Sequence, residues 1–402
     1  MIRKEKLRKV IDSQREWIKN LDSGIIREEL SEISIPENRA LIISGIRRCG
    51  KSTLLKQILE DVNEFYYLNL EDPRLEGFEL DDFNKSRDIF KNQSDKGVYF
   101  FDEIQNIDKW ENFIRFLVDR NEKVVITGSN ASLLSRELGS KLTGRHKTIE
   151  LFPFNYREFL RYKEKEPSKE TYKEFLFKGG FPNYLKEEDP TYLNDLLKDV
   201  IMRDIAIRHN IKNTSVLEKL ALYLLSHTGD EFSYNSLKKT FNVKSVQSII
   251  DYVSFFEDSY LLFTIPMFSY SYKKQQVNPK KTFSIDNGFS SANTVSFSED
   301  YSKMLENSVF LELNKKYDDI FYYQNKKECD FVVKKKNEIV NAYQVCYKLN
   351  DHNLNREING LYEAMDKFNL EKGLILTYDD EDQFKKNDKT IIVKPVWKWL
   401  TE

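Results

Sequence analysis

Eight consecutive residues, Gly45 to Ser52, read GIRRCGKS and place two glycines, a lysine and a hydroxyl at the spacing G-x-x-x-x-G-K-[ST]. Glycines at this spacing let the backbone curl so that successive N–H groups point inward, which makes a cradle for phosphate oxygens. Lys51 is placed to reach the outer phosphates of ATP, and Ser52 offers a hydroxyl to Mg²⁺. Gly45, Ile46, Arg47, Arg48, Cys49, Gly50, Lys51, Ser52 and Thr53 are therefore the expected nucleotide-binding loop, with ATP and Mg²⁺ as its ligands.

A second chemical signal follows the apolar run VYFF, which ends in Asp102-Glu103. Carboxylates at the C-terminal end of a buried strand sit where an open parallel sheet binds its ligands. Asp102 is the expected partner of Mg²⁺, and Glu103 the group that orients or deprotonates an attacking water. A helix cap explains an isolated Asp-Glu pair nearly as well. A kinase of the same fold has no need of Glu103, so the pair favours hydrolysis. VVIT runs into Gly128-Ser129-Asn130, a polar tip that either senses the γ-phosphate, with Asn130 as a catalytic candidate, or simply makes a capped turn. Gly144-Arg145 offers a cation for the γ-phosphate of a neighbouring subunit, or an ordinary surface ion pair.

These groups need strands to carry them. ALIIS, FYYLNL, VYFF, VVIT and TIEL read as buried strands separated by helical patterns, the signature of a parallel sheet covered on both faces. The glycine loop follows the first strand and opens a helix, so the helix N-terminus adds its partial positive charge. Before the sheet, Leu7, Val10, Ile11, Trp17 and Ile18 recur at helical spacing and predict an amphipathic helix running to about Leu30.

The 402 residues are 40% apolar and 13% aromatic, ample for packed cores in several domains. Sixty-three basic residues face sixty-five acidic ones, so global charge makes no case for nucleic acid or an anionic membrane. Three scattered cysteines and four histidines argue against a disulfide framework or a zinc site. No apolar run is long enough for a membrane span, and the expected setting is the reducing cytoplasm without membrane attachment.

Taken in order, GIRRCGKST, NLEDPR, FFDEIQ, ITGSNASLL and LTGRHKTIELFPFNYREF resemble the AAA+ ATPases. With KGGFP, SIDNGF, LENSVFLEL, ECDFVV and YQVCYKL, the chain is similar over nearly its whole length to a narrower group of predicted archaeal and bacterial AAA+ ATPases with a C-terminal domain of unknown function. The resemblance implies a sensor among Thr127, Ser129 and Asn130, and Arg145 as an arginine finger acting in trans, hence a homo-oligomer. Arg203 and Arg208 are the candidates for a second sensor.

The last third reads helix, three strands, helix, strand, and resembles the PD-(D/E)-x-K nucleases. That resemblance assigns Glu306 and Asp330 to a metal site, but the third motif reads Gln344-Val345-Cys346 and lacks its lysine. Strand alternation puts Lys348 on the same face as a stand-in. Cap and ladder residues of an ordinary α/β domain explain the same positions. Between these regions, three helices and a strand or hairpin suggest a winged helix-turn-helix. Lys273, Lys274, Lys280 and Lys281, interleaved with tyrosines, offer contacts for DNA, or form a solvated loop.

The expected fold is thus α/β: an N-terminal helical segment (1–36), an AAA+ P-loop ATPase core (37–154), a helical lid (155–213), a winged-helix segment (214–268) and a restriction-endonuclease-like domain (269–402). The expected function is an ATP-hydrolysing switch or motor acting on nucleic acid or a partner protein. An ATP-regulated DNA nuclease and a nucleotide-binding signalling scaffold with rare turnover are the alternatives.

Overall fold

The structure is a computed structural model and describes residues 1–130, 144–293 and 301–402. The chain forms two compact units, one of residues 1–152 with 258–260, the other of residues 153–257 and 261–402.

The first unit opens with α1 (Lys4–Asn20), whose Leu7, Val10, Ile11 and Ile18 form one buried stripe. The helix stops ten residues short of the expected end. Asp22 accepts the Gly24 N–H, Gly24 turns left-handed, and only a short 3₁₀ turn (Glu28–Glu32) follows. Next come β1 (Ala40–Ser44), α2 (Lys51–Glu60), β2 (Phe65–Asn69), α3 (Leu80–Gln93), β3 (Val98–Asp102), α4 (Trp110–Val118), β4 (Val124–Gly128) and β5 (His146–Glu150). The strands form one parallel sheet in the order β2-β3-β4-β1-β5. Strands β1 and β4 are buried along their whole length, as continuous apolar runs covered on both faces must be. One core is rich in rings: Phe83 stacks on Phe113 at 4.6 Å and meets Phe101 edge-on at 5.6 Å.

The second unit begins with helices α5 (Tyr156–Lys163), α6 (Lys169–Lys178), α7 (Pro182–Glu187) and α8 (Pro190–Asp199). Residues Val200–Ile207 then run as a π-helix, which the sequence pattern does not announce. Helices α9 (Thr214–Ser226), α10 (Tyr234–Thr240) and α11 (Val246–Asp258) come next, with β6 (Glu231–Phe232) between the first two. β7 (Leu262–Pro266), the short α12 (Tyr272–Val277) and β8 (Lys280–Ser284) complete an antiparallel sheet in the order β6-β8-β7. Its central strand β8 lies beyond the boundary expected at 268.

The KGGFP and SIDNGF segments meet at Asp286, just after β8. Its carboxylate accepts the Gly180 N–H at 2.7 Å and the Phe289 N–H at 2.9 Å. Beyond α13 (Asn287–Asn293) come α14 (Tyr301–Lys316), β9 (Asp319–Gln324), β10 (Glu328–Lys335), β11 (Glu338–Val345), α15 (Leu354–Phe368) and β12 (Lys372–Thr377), in the expected sequence. β13 (Asp382–Lys386) and β14 (Lys389–Pro395) extend the sheet to six strands, ordered β13-β14-β12-β11-β10-β9. Among the described residues no helix is long and apolar enough to cross a membrane.

Candidate functional site

The glycine loop leaves the end of β1 and enters α2 at Lys51. Gly50 has φ 105°, a backbone region that side chains oppose, and a Cβ on Gly45 would stand 2.1 Å from the Leu151 carbonyl oxygen. Lys51 is buried to 4% exposure. Its ammonium donates to the Gly45 carbonyl at 3.1 Å and the Ile46 carbonyl at 3.2 Å, and lies 3.3 Å from Glu103. Arg47 pairs with Glu71 at 2.6 Å. Cys49 is wholly buried, and burial pushes its thiol pKa up, so it stays a thiol.

Asp102 ends β3 and collects three hydroxyls. Ser52 donates to it at 2.8 Å, Tyr67 at 3.1 Å, and Thr127 from the end of β4. Burial and the neighbouring Glu103 push the Asp102 carboxyl above its usual range, against the hydrogen bonds from Thr127 and Ser52. Glu103 has φ 53°, and its N–H donates to Thr127 Oγ1 at 3.0 Å. Burial also pushes the Glu103 carboxyl up, but Lys51, Gln105 and Arg47 together outweigh it and leave it below the ordinary value. A hydroxyl and a carboxylate 2.8 Å apart are hard oxygen donors of the kind Mg²⁺ takes, so Ser52 and Asp102 fit that ion.

Two residues that sequence reasoning missed belong to this cluster. The Gln105 amide donates to Glu103 at 2.5 Å and to Ser129 Oγ at 3.2 Å, and its own oxygen is buried with no hydrogen-bond donor among the described residues. Arg27 is buried behind the loop, where it donates to the Cys49 carbonyl at 3.0 Å and the Phe152 carbonyl at 2.7 Å. No motif marks Arg27, which looks like one more charge in a charged segment. For Gln105, proximity to Asp102-Glu103 is the only cue.

Lys51, Ser52, Asp102, Glu103 and Thr127 thus come together, and Asn130 is buried just past the end of β4. Arg145 does not join them. It precedes β5 at the start of the sheet, where its backbone oxygen accepts the Ala40 N–H, and its side chain pairs with Asp119. The ASLL part of the sensor segment lies outside the described residues. Of the second-sensor candidates, Arg203 sits in the π-helix and pairs with Asp199 at 3.3 Å, and Arg208 directly follows that helix.

In the second unit, Glu306, Asp330, Gln344 and Lys348 line one cavity of about 670 Å³. Lys281 is not the exposed phosphate contact expected of it. It turns inward on a strand buried from Lys281 to Ser284, to 4% exposure, onto Glu328 at 2.7 Å, Glu306 at 3.1 Å and Asp330 at 3.4 Å. Gln344 faces Glu357, donating to it at 2.7 Å.

A parallel sheet in this order, with a glycine loop after β1 and a Ser52–Asp102–Glu103 cluster at the strand ends, defines an AAA+ P-loop ATPase fold. Residues 37–160 match the AAA domain family, and residues 169–300 match a domain of unknown function (DUF8612). The chain is 34% identical over 403 aligned positions to the uncharacterized protein MJ1544 of Methanocaldococcus jannaschii, covering 92% of this chain and 89% of that one, and it belongs to the same family. An uncharacterized protein of Haemophilus influenzae is 29% identical, covering 81% of this chain and 86% of its own. Among solved structures, a Walker-type ATPase of Pyrococcus abyssi aligns at 13% identity and a TM-score of 0.40, over 73% of this chain and 96% of that one.

Proposed function

We propose that the protein binds ATP with Mg²⁺, hydrolyses it, and uses the cycle as an oligomeric switch or motor acting on nucleic acid or a partner protein. The observation that carries this reading is the buried Lys51–Glu103 pair beside the Ser52–Asp102 pair, at the mouth of a glycine loop. Lys51 exchanges the Gly45 and Ile46 carbonyls for phosphate oxygens, and its departure from Glu103 frees that carboxylate. Glu103 then accepts a proton from water, and Gln105 fixes its direction while its unpartnered oxygen offers the same water an acceptor. Thr127 holds Asp102 and the Glu103 backbone in register. When bound, Mg²⁺ neutralises charge on the phosphates through Ser52 and Asp102.

Arg145 acts on a neighbouring copy's phosphate, because it stands at the opposite end of its own sheet from the loop. Three helices and the β6-β8-β7 sheet support a winged-helix reading of the segment after residue 213. Tyr270 and Tyr272, 79% and 74% exposed beside Lys273 and Lys274, support contact with nucleic acid there. Turnover measured against protein concentration, with and without duplex DNA and with Glu103→Gln as the blank, tests the reading. Specific activity that rises with concentration and vanishes in the blank is expected. Turnover equal to the blank under all conditions leaves the nucleotide-binding scaffold as the better account.

A further inference from the structure

The cavity between α14, β10, β11 and α15 is a feature that the ATP reading leaves unused. A divalent metal does not fit it. Lys281 already lies within ion-pair distance of Glu306, Glu328 and Asp330. The remaining donors are committed elsewhere: Asp330 accepts the Val345 N–H at 2.8 Å, and the Gln344 oxygen accepts the Asp330 N–H at 3.4 Å. Among the described residues no group of three or more His, Cys, Asp or Glu is disposed to hold a metal ion.

The rim has the opposite character. Lys326, Lys327 and Lys348 are exposed around the mouth and make no ion pair among the described residues, while Arg356 pairs with Glu357 at 2.5 Å. The floor keeps a net negative charge, one lysine against three carboxylates, while the mouth carries free cations, and the lining as a whole holds five cations against four carboxylates. A volume of about 670 Å³ is ample for a nucleotide.

The geometry points to a metal-independent receptor for a phosphate group borne by a nucleotide or a nucleic-acid strand, held at the cationic rim, with Lys281 as a built-in counter-ion that offsets part of the negative charge of the floor. The rim lysines meet the phosphate, and the half-buried Tyr347, stacked on Tyr378 at 5.0 Å, offers an aromatic edge to the rest of the ligand. Burial raises the Glu306 carboxyl to about 8, against the pull of Lys281, which removes a further negative charge from the floor near neutral pH.

The test uses the full chain carrying Lys51→Met, so that the phosphate loop of the first unit does not take the probe and the outcome does not depend on ATP turnover. Fluorescein-labelled, terminally phosphorylated oligothymidylate is titrated in EDTA, with AMP as competitor. Saturable binding is expected, weakened at least about tenfold by the exposed double replacement Lys326→Glu with Lys348→Glu. Competition by AMP identifies a free nucleotide as the ligand, whereas oligonucleotide binding that AMP leaves intact identifies a strand. Absence of binding, binding that requires Mg²⁺ or Mn²⁺, or binding indifferent to the double replacement overturns the proposal. In Lys281→Met, if it folds, loss of the probe and gain of Mn²⁺ detected by electron paramagnetic resonance are expected. Mn²⁺ bound by the unaltered pocket and lost in Asp330→Ala would equally overturn it.

Discussion

Lys51 in the first unit and Lys281 in the second are both buried beside carboxylates, and the two are wired differently. The Lys51 ammonium meets the Glu103 carboxylate and the Gly45 and Ile46 carbonyls of a glycine loop. Lys281 is held by three carboxylates fixed on α14 and β10. Burial opposes the charge of Lys281, yet Glu306, Asp330 and Glu328 outweigh it and hold the ammonium above its ordinary range. Loop carbonyls are weak partners that phosphate oxygens can replace. Three carboxylates around a buried cation cannot be released without leaving bare charges. On the proposed reading the first lysine is held ready for a ligand, whereas the second is part of the architecture.

Removing each lysine tests that contrast. Lys51→Met is expected to lower ATP turnover by about 10³-fold, the scale of losing a preorganised charge at developing negative charge, with little change in melting temperature. Lys281→Met is expected to do the reverse. It costs about 3–5 kcal/mol of stability in chemical denaturation, because it strands buried carboxylates, and leaves turnover per folded molecule intact. A stable Lys281→Met, or an unfolded Lys51→Met, breaks the comparison.

Asp286 sharpens it from another side, as a buried carboxyl with backbone N–H partners and no ion pair among the described residues. Burial raises it from 3.8 to about 6 against the hydrogen bonds of Gly180, Phe289 and Gly288. A carboxyl raised on folding stabilises most below its unfolded value and loses that contribution as pH rises through about 6. Denaturation of the natural chain against Asp286→Asn should therefore show the natural chain gaining, on the order of 2–3 kcal/mol, between neutral pH and about 4. A difference flat with pH would mean that the group keeps an ordinary value. The smallest effect is expected at Gln105→Ala, about tenfold in turnover with ATP affinity retained, since it orients Glu103 without touching phosphate. Equal losses in turnover and affinity would place Gln105 in binding instead.

Much of the first unit could be read from residue order alone. Its strands are unbroken apolar runs, and Gly50 and Lys51 fall where strand passes to helix, so local pattern and site coincide. The end of α1 was misread because the residues after Asn20 keep a helical texture, while the Asx turn at Asp22 and left-handed Gly24 break it. Lys281 was misread for a different reason. Its three partners lie 25 to 49 residues downstream, so nothing local distinguishes it from Lys280. Strand β13, DQFKK, is an exposed edge with charges on both faces and offers no apolar alternation to detect. Arg27 depends on two distant backbone carbonyls and Gln105 on the Glu103 carboxylate and the Ser129 hydroxyl, contacts that leave no trace in composition.

Arg27 has a mechanical meaning. Its planar head is a rigid spacer between the Cys49 carbonyl in the nucleotide loop and the Phe152 carbonyl. Phe152 is the last residue before the chain leaves the first unit for the second. The loop and the exit point are therefore bolted to one plate, so neither carbonyl can shift without disturbing the guanidinium that holds the other.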